Sequence, residues 1–326
     1  MRAVQVSECG DPSVLSVVER PVPEPGPGEV RLAVDAAGVN FADVEQRRGR
    51  YPDGPETPFV PGLEVAGTVD AVGADLGDAD VAVGDRVAAL PDTGGYAEQV
   101  VVPVERLFPA PDALSDAAAA SYPVQWLTAH NTLFEWGELA ADETVLVTAA
   151  AGGVGSAAVQ LASDAGATVL GAASTAEKRS LASDLGATHA IDYTGADLGE
   201  RVREVTDGRG VDLVLDGVGG DAFRSGVESL APFGRVVVYG LASGDVPRVA
   251  TPRLLFENTS VRGYHLMHAL DHRPERVRTA VEPVVSGLTE GRYRVAVDAE
   301  YDLADAAVGH RRLEGRESTG KLVLRP

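Results

Sequence analysis

Along the first 120 residues hydrophobic and polar positions alternate with a period of two, as in Glu29 to Asp35 and Thr68 to Val72. Pro21, Pro23, Pro25, Pro27 and many glycines interrupt the alternation. Successive side chains of a strand point to opposite faces, so this pattern predicts half-buried strands and tight loops, a loop-rich β domain whose first strand is Arg2 to Val6. From about residue 124 the texture changes. Short continuous apolar runs, Thr144 to Val147, Thr168 to Leu170, His189 to Ile191, Val211 to Leu215 and Arg235 to Tyr239, are separated by helical lengths. A strand apolar on both faces is covered on both, and alternating βα units predict a doubly wound parallel sheet, hence an α/β protein.

Within this region LASDAGATVLG from Leu161 returns as LASDLGATHAI from Leu181. The same helix end, glycine stop and strand entry recur, with Gly166 and Gly186 suited to the left-handed position just past a helix. After Tyr264 the pattern predicts a helical stretch (Pro274 to Gly291), a strand (Arg294 to Ala299), then a helix and a last strand, Lys321 to Leu324. These resemble the N-terminal texture, so the expected domains are 1–123, an inserted α/β unit 124–266, and a return to the first domain over 267–326.

The most informative segment is TVLVTAAAGGVGSAAVQLA, Thr144 to Ala162. A short strand breaks into a glycine turn and reopens as a helix. Ala150, Gly152 and Gly155, with Gly153 and Val154 between them, follow an A-x-G-x-x-G variant of the Rossmann dinucleotide fingerprint. The first small residue is expected to make the tight turn. Gly152 lets backbone N–H groups approach a pyrophosphate, and Gly155 lets the helix pack close to the strand, so that its positive end faces the phosphates.

Composition narrows the chemistry. At 326 residues there is room for about two domains. No apolar run has the length of a membrane helix and the N-terminus reads as a strand, so a cytoplasmic protein is expected. Forty-nine acidic residues against 28 basic ones give a formal charge of −21, which repels nucleic acid and anionic membranes. With lysine only at 178 and 321 and few aromatics, the balance suggests a cytoplasm of concentrated salt, where screening tolerates dense surface charge. Cys9 is the sole cysteine, which rules out an intramolecular disulfide and a cysteine-built zinc site. Redox chemistry must then come from a bound cofactor.

Several separated motifs in order, PGPGEVRLAVDAAGVNFAD from Pro25, PGLEVAGTVDAVG from Pro61, VGDRV from Val83, GGYAEQVVVP from Gly94, AAAGGVG from Ala149 and GKLVL from Gly320, resemble the medium-chain dehydrogenase/reductase superfamily over essentially the whole chain. The likeness is greatest to its zinc-free quinone oxidoreductase, or zeta-crystallin-like, branch. The resemblance implies a Rossmann domain inserted in a GroES-like catalytic domain, with homodimers through the last Rossmann strand, here Ser260 to Tyr264. Zinc-dependent relatives carry a cysteine ligand where this chain has Asn40 and a histidine where it has Leu63, so no metal is expected, and zinc-assisted alcohol oxidation is not the expected reaction. His265, His268 and His272 have spacings that would suit a metal, but ordinary polar roles are expected of them.

For the cofactor, an NAD site places Asp or Glu about twenty residues after the glycines. Here that position reads Gly171, Ala172, Ala173, Ser174, Thr175, with Lys178 and Arg179 following. Two hydroxyls and a basic pair with no carboxylate favour a 2′-phosphate, so NADPH is expected, with Ser174 and Lys178 at the phosphate. The resemblance places Tyr193 beside the adenine ribose phosphate, Asp216, Gly217 and Val218 along the nicotinamide side, and Asn40, Thr128 and Lys321 against the cofactor. It also makes Asn40, Asp43 and Tyr51 the candidate catalytic residues: Asn40 toward the cofactor or acceptor carbonyl, Tyr51 as a hydrogen-bond donor to the developing oxyanion. Simpler roles are open to each. Asn40 and Asp43 would cap a helix over Ala42 to Arg47, and Tyr51 would pack. Trp126 narrows the pocket unless it faces the core. No Ser/His/Asp or Cys/His constellation occurs. The expected activity is hydride delivery to a small planar quinone or α,β-unsaturated carbonyl, with water or Tyr51 supplying the proton. The alternative is an NADPH-binding structural or sensing protein.

Overall fold

The computed structural model describes residues 1–194 and 197–326. The chain divides into two compact units, Met1–Val124 with Val285–Pro326, and Gln125–Val284. The first unit opens with β1 (Arg2–Val6), β2 (Leu15–Glu19), β3 (Glu29–Val39), α1 (Phe41–Arg47), β4 (Val65–Val72), β5 (Arg86–Ala89), β6 (Gln99–Pro103), β7 (Leu107–Pro109) and α2 (Asp116–Ala119). Helix α3 (Pro123–His130) carries the chain into the second unit. There β8 (Thr144–Val147), α4 (Gly153–Asp164), β9 (Thr168–Ala173), α5 (Ala176–Asp184), β10 (His189–Asp192), α6 (Leu198–Val205), β11 (Val211–Asp216), α7 (Gly220–Glu228), β12 (Leu230–Val238), α8 (Thr251–Glu257) and β13 (Ser260–Gly263) alternate. Three helices follow, α9 (Leu266–His272), α10 (Pro274–Arg278) and α11 (Val281–Thr289), the last leading back to the first unit, which ends with β14 (Val297–Asp302), α12 (Ala306–Glu314) and β15 (Lys321–Arg325).

The second unit is the doubly wound sheet that the apolar runs predict. Its six strands are all parallel in the order β10-β9-β8-β11-β12-β13, with the first strand central and the chain winding outward in both directions. Leu146, Leu170, Val214 and Val236 are fully buried, as strands covered on both faces require. Gly166 and Gly186 end α4 and α5 at φ of 83° and 109°, the left-handed stop that the repeat predicts.

In the first unit seven strands form one sheet, β14-β15-β3-β4-β5-β7 with β6 on β3, antiparallel except for the β14–β15 pair. Period-two strands bury one face here, with Val30, Leu32 and Val69 in the core. The long strand β3 delivers Asn40 at its end. Because β15 pairs antiparallel with the end of β3, Val323 opposite Gly38, the C-terminus returns beside that residue.

The structure differs from the sequence reading in its last third. The chain returns to the first unit at Val285 rather than 267, since α10 is tied to the second: Val277 O accepts from Asn131 Nδ2 at 3.3 Å, and Arg276 pairs with Glu135 at 3.2 Å. The stretch Pro274 to Gly291 is two helices. Pro283 lies in the first turn of α11, where its missing N–H costs nothing, so the preceding helix has to stop before it. The strand expected over Arg294 to Ala299 runs from Val297 to Asp302, set by its pairing with β15. Helix α1 starts one residue early, at Phe41.

Candidate functional site

In the second unit the turn after β8 is anchored before it begins. Thr148 N–H donates to Leu215 O at 3.1 Å and its hydroxyl to Asp216 Oδ1 at 3.0 Å, joining the ends of β8 and β11. The tight turn falls on Ala149, at φ 48°, one residue before the Ala150 expected from the fingerprint. Ala150 instead continues alongside β9, its N–H bonded to Ala172 O at 3.0 Å. Gly152 then caps α4, and Gly153, Val154 and Gly155 form its first turn, whose N–H groups have no acceptor inside the helix. A Cβ on Gly155 would lie 2.2 Å from Ala149 O and 2.8 Å from Ala150 Cα, so glycine alone permits this approach. The side chain of Gln125, from α3, lies against Gly153, 1.9 Å from where a Cβ would stand. Nothing in the sequence marked Gln125 or Thr148.

At the end of β9, Ser174 is half-buried and Thr175 caps α5, its hydroxyl accepting from Lys178 N–H at 3.2 Å. Lys178 is half-buried in that first turn, while Arg179 is drawn to Asp192 at 2.8 Å. Tyr193 follows β10 and packs on the core of the unit. At the end of β11, Asp216 is fully buried and accepts from Thr148 Oγ1, Val218 N–H (3.3 Å) and Gly219 N–H (2.9 Å). Burial raises its pKa and these bonds oppose the rise. Asp216 therefore clamps the loop that presents Gly217 and Val218. Gly217 is met by the Tyr239 ring, with a Cβ only 2.6 Å from it, which makes Tyr239 a wall of this end of the unit that the sequence did not single out. On α3, Thr128 and Trp126 are buried, Trp126 at 1% exposure. His265 caps α9 through Nδ1, which accepts from His268 N–H at 3.2 Å.

In the first unit the end of β3 meets the returning C-terminus. Asn40 caps α1 and its backbone N–H donates to Asp43 Oδ2 at 2.7 Å. Its carboxamide is held at both ends: Nδ2 donates to Glu64 Oε1 at 3.0 Å, and Oδ1 accepts from Lys321 Nζ at 2.8 Å. Lys321 also pairs with Glu64 Oε1 in a close ion pair, the two 1% and 0% exposed. The other carboxylate oxygen, Oε2, accepts from Val124 N–H, at the start of α3, at 2.9 Å. Gly38 makes room for this group, since a Cβ there would lie 2.6 Å from Glu64 Oε1 and 2.7 Å from Lys321 Cε. Glu64 is the central residue of the cluster and the sequence reading passed over it. Its only trace was a carboxylate set among apolar neighbours in PGLEVAG, directly after Leu63.

Asp43 is fully buried, and burial pushes its carboxyl up to about 7 against the Asn40 amide, the Lys321 ammonium and the Tyr96 hydroxyl. Tyr51 is half-buried. Burial first, and then the charge of Asp43, raise its hydroxyl pKa. The expected trio Asn40, Asp43 and Tyr51 thus shares one electrostatic neighbourhood with Lys321. Asn40 and Asp43 also carry the capping role that was their simpler reading. Among the described residues no three His, Cys, Asp or Glu side chains gather as a metal site.

Residues 26–112 match the alcohol dehydrogenase GroES-like domain family and residues 153–286 the zinc-binding dehydrogenase family. The chain is 36% identical to a quinone oxidoreductase of Pseudomonas aeruginosa over 326 residues, 100% of this chain and 99% of that one. It is 36% identical to a 2-haloacrylate reductase of a Burkholderia species, covering 99% and 98%. A mycobacterial protein solved in complex with NADPH superposes with a TM-score of 0.94 at 39% identity, over the full length of both chains. The order of motifs, the inserted six-stranded parallel sheet and these full-length likenesses agree: the chain belongs to the medium-chain dehydrogenase/reductase superfamily, in its quinone oxidoreductase, zeta-crystallin-like branch.

Proposed function

We propose that this protein is an NADPH-dependent, zinc-independent reductase that delivers hydride to a quinone or an α,β-unsaturated carbonyl. The observation that carries the reading is the first turn of α4, where Gly155 lets the helix close on the Ala149 carbonyl and three N–H groups are left for a pyrophosphate. Ser174 and Lys178 would hold the 2′-phosphate, Tyr193 the adenosine side, and Gly217 and Val218 the nicotinamide side, with Thr128 from α3. Bound NADPH supplies the hydride. Asn40, fixed by Glu64 and Lys321, would orient cofactor or acceptor, and Tyr51 would donate to the oxygen on which charge develops. Zinc independence is supported by the ligand chemistry. Leu63 has no donor atom, and the oxygen of Asn40 already faces the Lys321 ammonium, which would repel a divalent cation. Strand β13 is the terminal strand of the six-stranded sheet, and we propose it as the edge where a second copy pairs.

NADPH should bind more tightly than NADH in fluorescence titrations, and Lys178→Ala should shrink that gap by about 1.5–3 kcal/mol, the scale of a hydrogen bond to a charged group. Equal affinities in the parent would reject the 2′-phosphate site. In steady-state assays against a panel of quinones and enones, Tyr51→Phe should lower kcat by about ten- to a hundred-fold with NADPH affinity unchanged, because the donated bond strengthens mainly in the transition state. Activity should survive dialysis against a chelator. Normal NADPH binding with background turnover on every acceptor, in the parent as in the variant, would favour the binding-protein alternative.

A further inference from the structure

Five buried polar atoms without a hydrogen-bond partner among the described residues belong to two elements of the first unit. They are Asp43 Oδ1, Gln46 Oε1, Arg47 Nε and Arg47 Nη1 on α1, and His310 Nδ1 on α12. Buried polar groups are almost always paired, so such a group of orphans marks places for ordered water or for a side chain that exchanges protons. A chain of bonds joins two of them, Asp43 and His310, through Tyr96. Tyr96 Oη donates to Asp43 Oδ2 at 3.0 Å and stands 3.2 Å from His310 Nε2, with all three residues fully buried. Tyr96 has one proton and gives it to Asp43. The hydrogen between Tyr96 and His310 must therefore sit on Nε2, which leaves Nδ1, the orphan, as the basic nitrogen. Arg47, whose charge acts on His310, pairs with Glu314, whose side chain is 15% exposed.

We propose that Asp43, Tyr96 and His310 form a buried proton store and relay that replaces the proton Tyr51 gives to the reduced acceptor. This rests on the hydride-transfer reading above. After Tyr51 has protonated the product, the proton lost from its phenol is replaced from the Asp43 carboxyl through a water on the unpartnered Oδ1. Tyr96 then passes its hydroxyl proton to Asp43 Oδ2 while taking the Nε2 proton of His310, and His310 Nδ1 collects a proton from water. Each O–H or N–H bond broken is matched by one formed, and no electrons move. The groups facing Asp43 are the Asn40 amide at the start of its own helix, Tyr96 from the loop before β6, Glu64 just before β4, Lys321 from β15, and Tyr51. Burial holds the Asp43 carboxyl at about 7, where it both keeps and releases a proton near neutrality. Burial, with Arg47 and Arg48, holds His310 down to about 3, so it relays a proton without accumulating charge.

The test combines infrared pH titration with pH profiles of kcat on the full chain. In the parent, the C=O stretch of a protonated carboxylic acid should be present at pH 6, vanish above pH 8, and be missing in Asp43→Asn, which keeps the acceptor oxygen but cannot titrate. Turnover should fall through the same range as the store empties. Asp43→Asn should lose this limb. Tyr96→Phe, by removing a donor that favours the carboxylate, should move the band and the limb to higher pH and, by cutting the path to His310, lower turnover below them. Variants that fold and bind NADPH as the parent does, yet show an unmoved limb, would overturn the relay, as would absence of the band from the parent. A parent that turns over no acceptor but shows the titrating band would instead remove the reductase reading while leaving the proton store standing.

Discussion

Replacing Glu64 by Leu should destabilise the protein by about 3–5 kcal/mol, the usual cost of stranding one member of a buried ion pair. Glu64 and Lys321 are 0% and 1% exposed, and among the described residues the Lys321 ammonium has Glu64 and the Asn40 oxygen to replace water. Without the carboxylate it must stay buried and charged, give up its proton, or pull open the β3–β15 pairing. Lys321→Met alone should cost a comparable amount, by leaving the carboxylate uncompensated. The double variant Glu64→Leu/Lys321→Met should recover most of the loss, because well-packed apolar replacements of a buried pair are often neutral. A residue of about 1–3 kcal/mol should persist, since the Val124 N–H at the start of α3 then has no acceptor. The measurement is a calorimetric double-mutant cycle. A Glu64→Leu transition at the parent's temperature would mean that the pair does not hold this part of the unit together.

That pair also shows where sequence reading reaches its limit. The strands of the second unit were legible because a strand covered on both faces has to be continuously apolar, and the glycine turn because a helix can close on a strand only over a residue without a side chain. Asn40 and Asp43 were visible as the end of a strand and the start of a helix. Glu64 and Lys321 are 257 positions apart, and what brings them together is the antiparallel return of β15 beside β3, a matter of sheet order that no local pattern encodes. Gln125 over Gly153, Thr148 on Asp216 and Tyr239 on Gly217 share this character: each is a contact between separate βα units, decided by packing. Periodicity also mislaid the return to the first unit, because what ties α10 to the second is its contact with Asn131 and Glu135, residues about 140 positions earlier that no local pattern connects to it.

Gly155→Ala should weaken NADPH binding roughly ten- to a hundred-fold, the loss of about one charge-assisted hydrogen bond, and should destabilise the second unit as well. In an open helix the same change would stabilise, by about 0.5–1 kcal/mol, so any loss has to come from packing. The added methyl would stand 2.2 Å from Ala149 O and 2.8 Å from Ala150 Cα, backbone atoms that cannot swing aside. The Ala149 carbonyl is fixed by Gly152 N–H at 2.8 Å, and Ala150 N–H by Ala172 O at 3.0 Å. Helix α4 must therefore move off the strand, carrying with it the N–H groups proposed to hold the phosphates, and overpacking of this kind costs about 1–3 kcal/mol. Gly153→Ala provides the control. The atoms its methyl would meet first are those of the Gln125 side chain, which can rotate away, so its melting temperature should fall less, and adding Gln125→Ala should restore it. Were Gly155→Ala to bind NADPH as the parent does, with an unchanged melting temperature, the close approach of α4 to Ala149 could not be what forms the phosphate site.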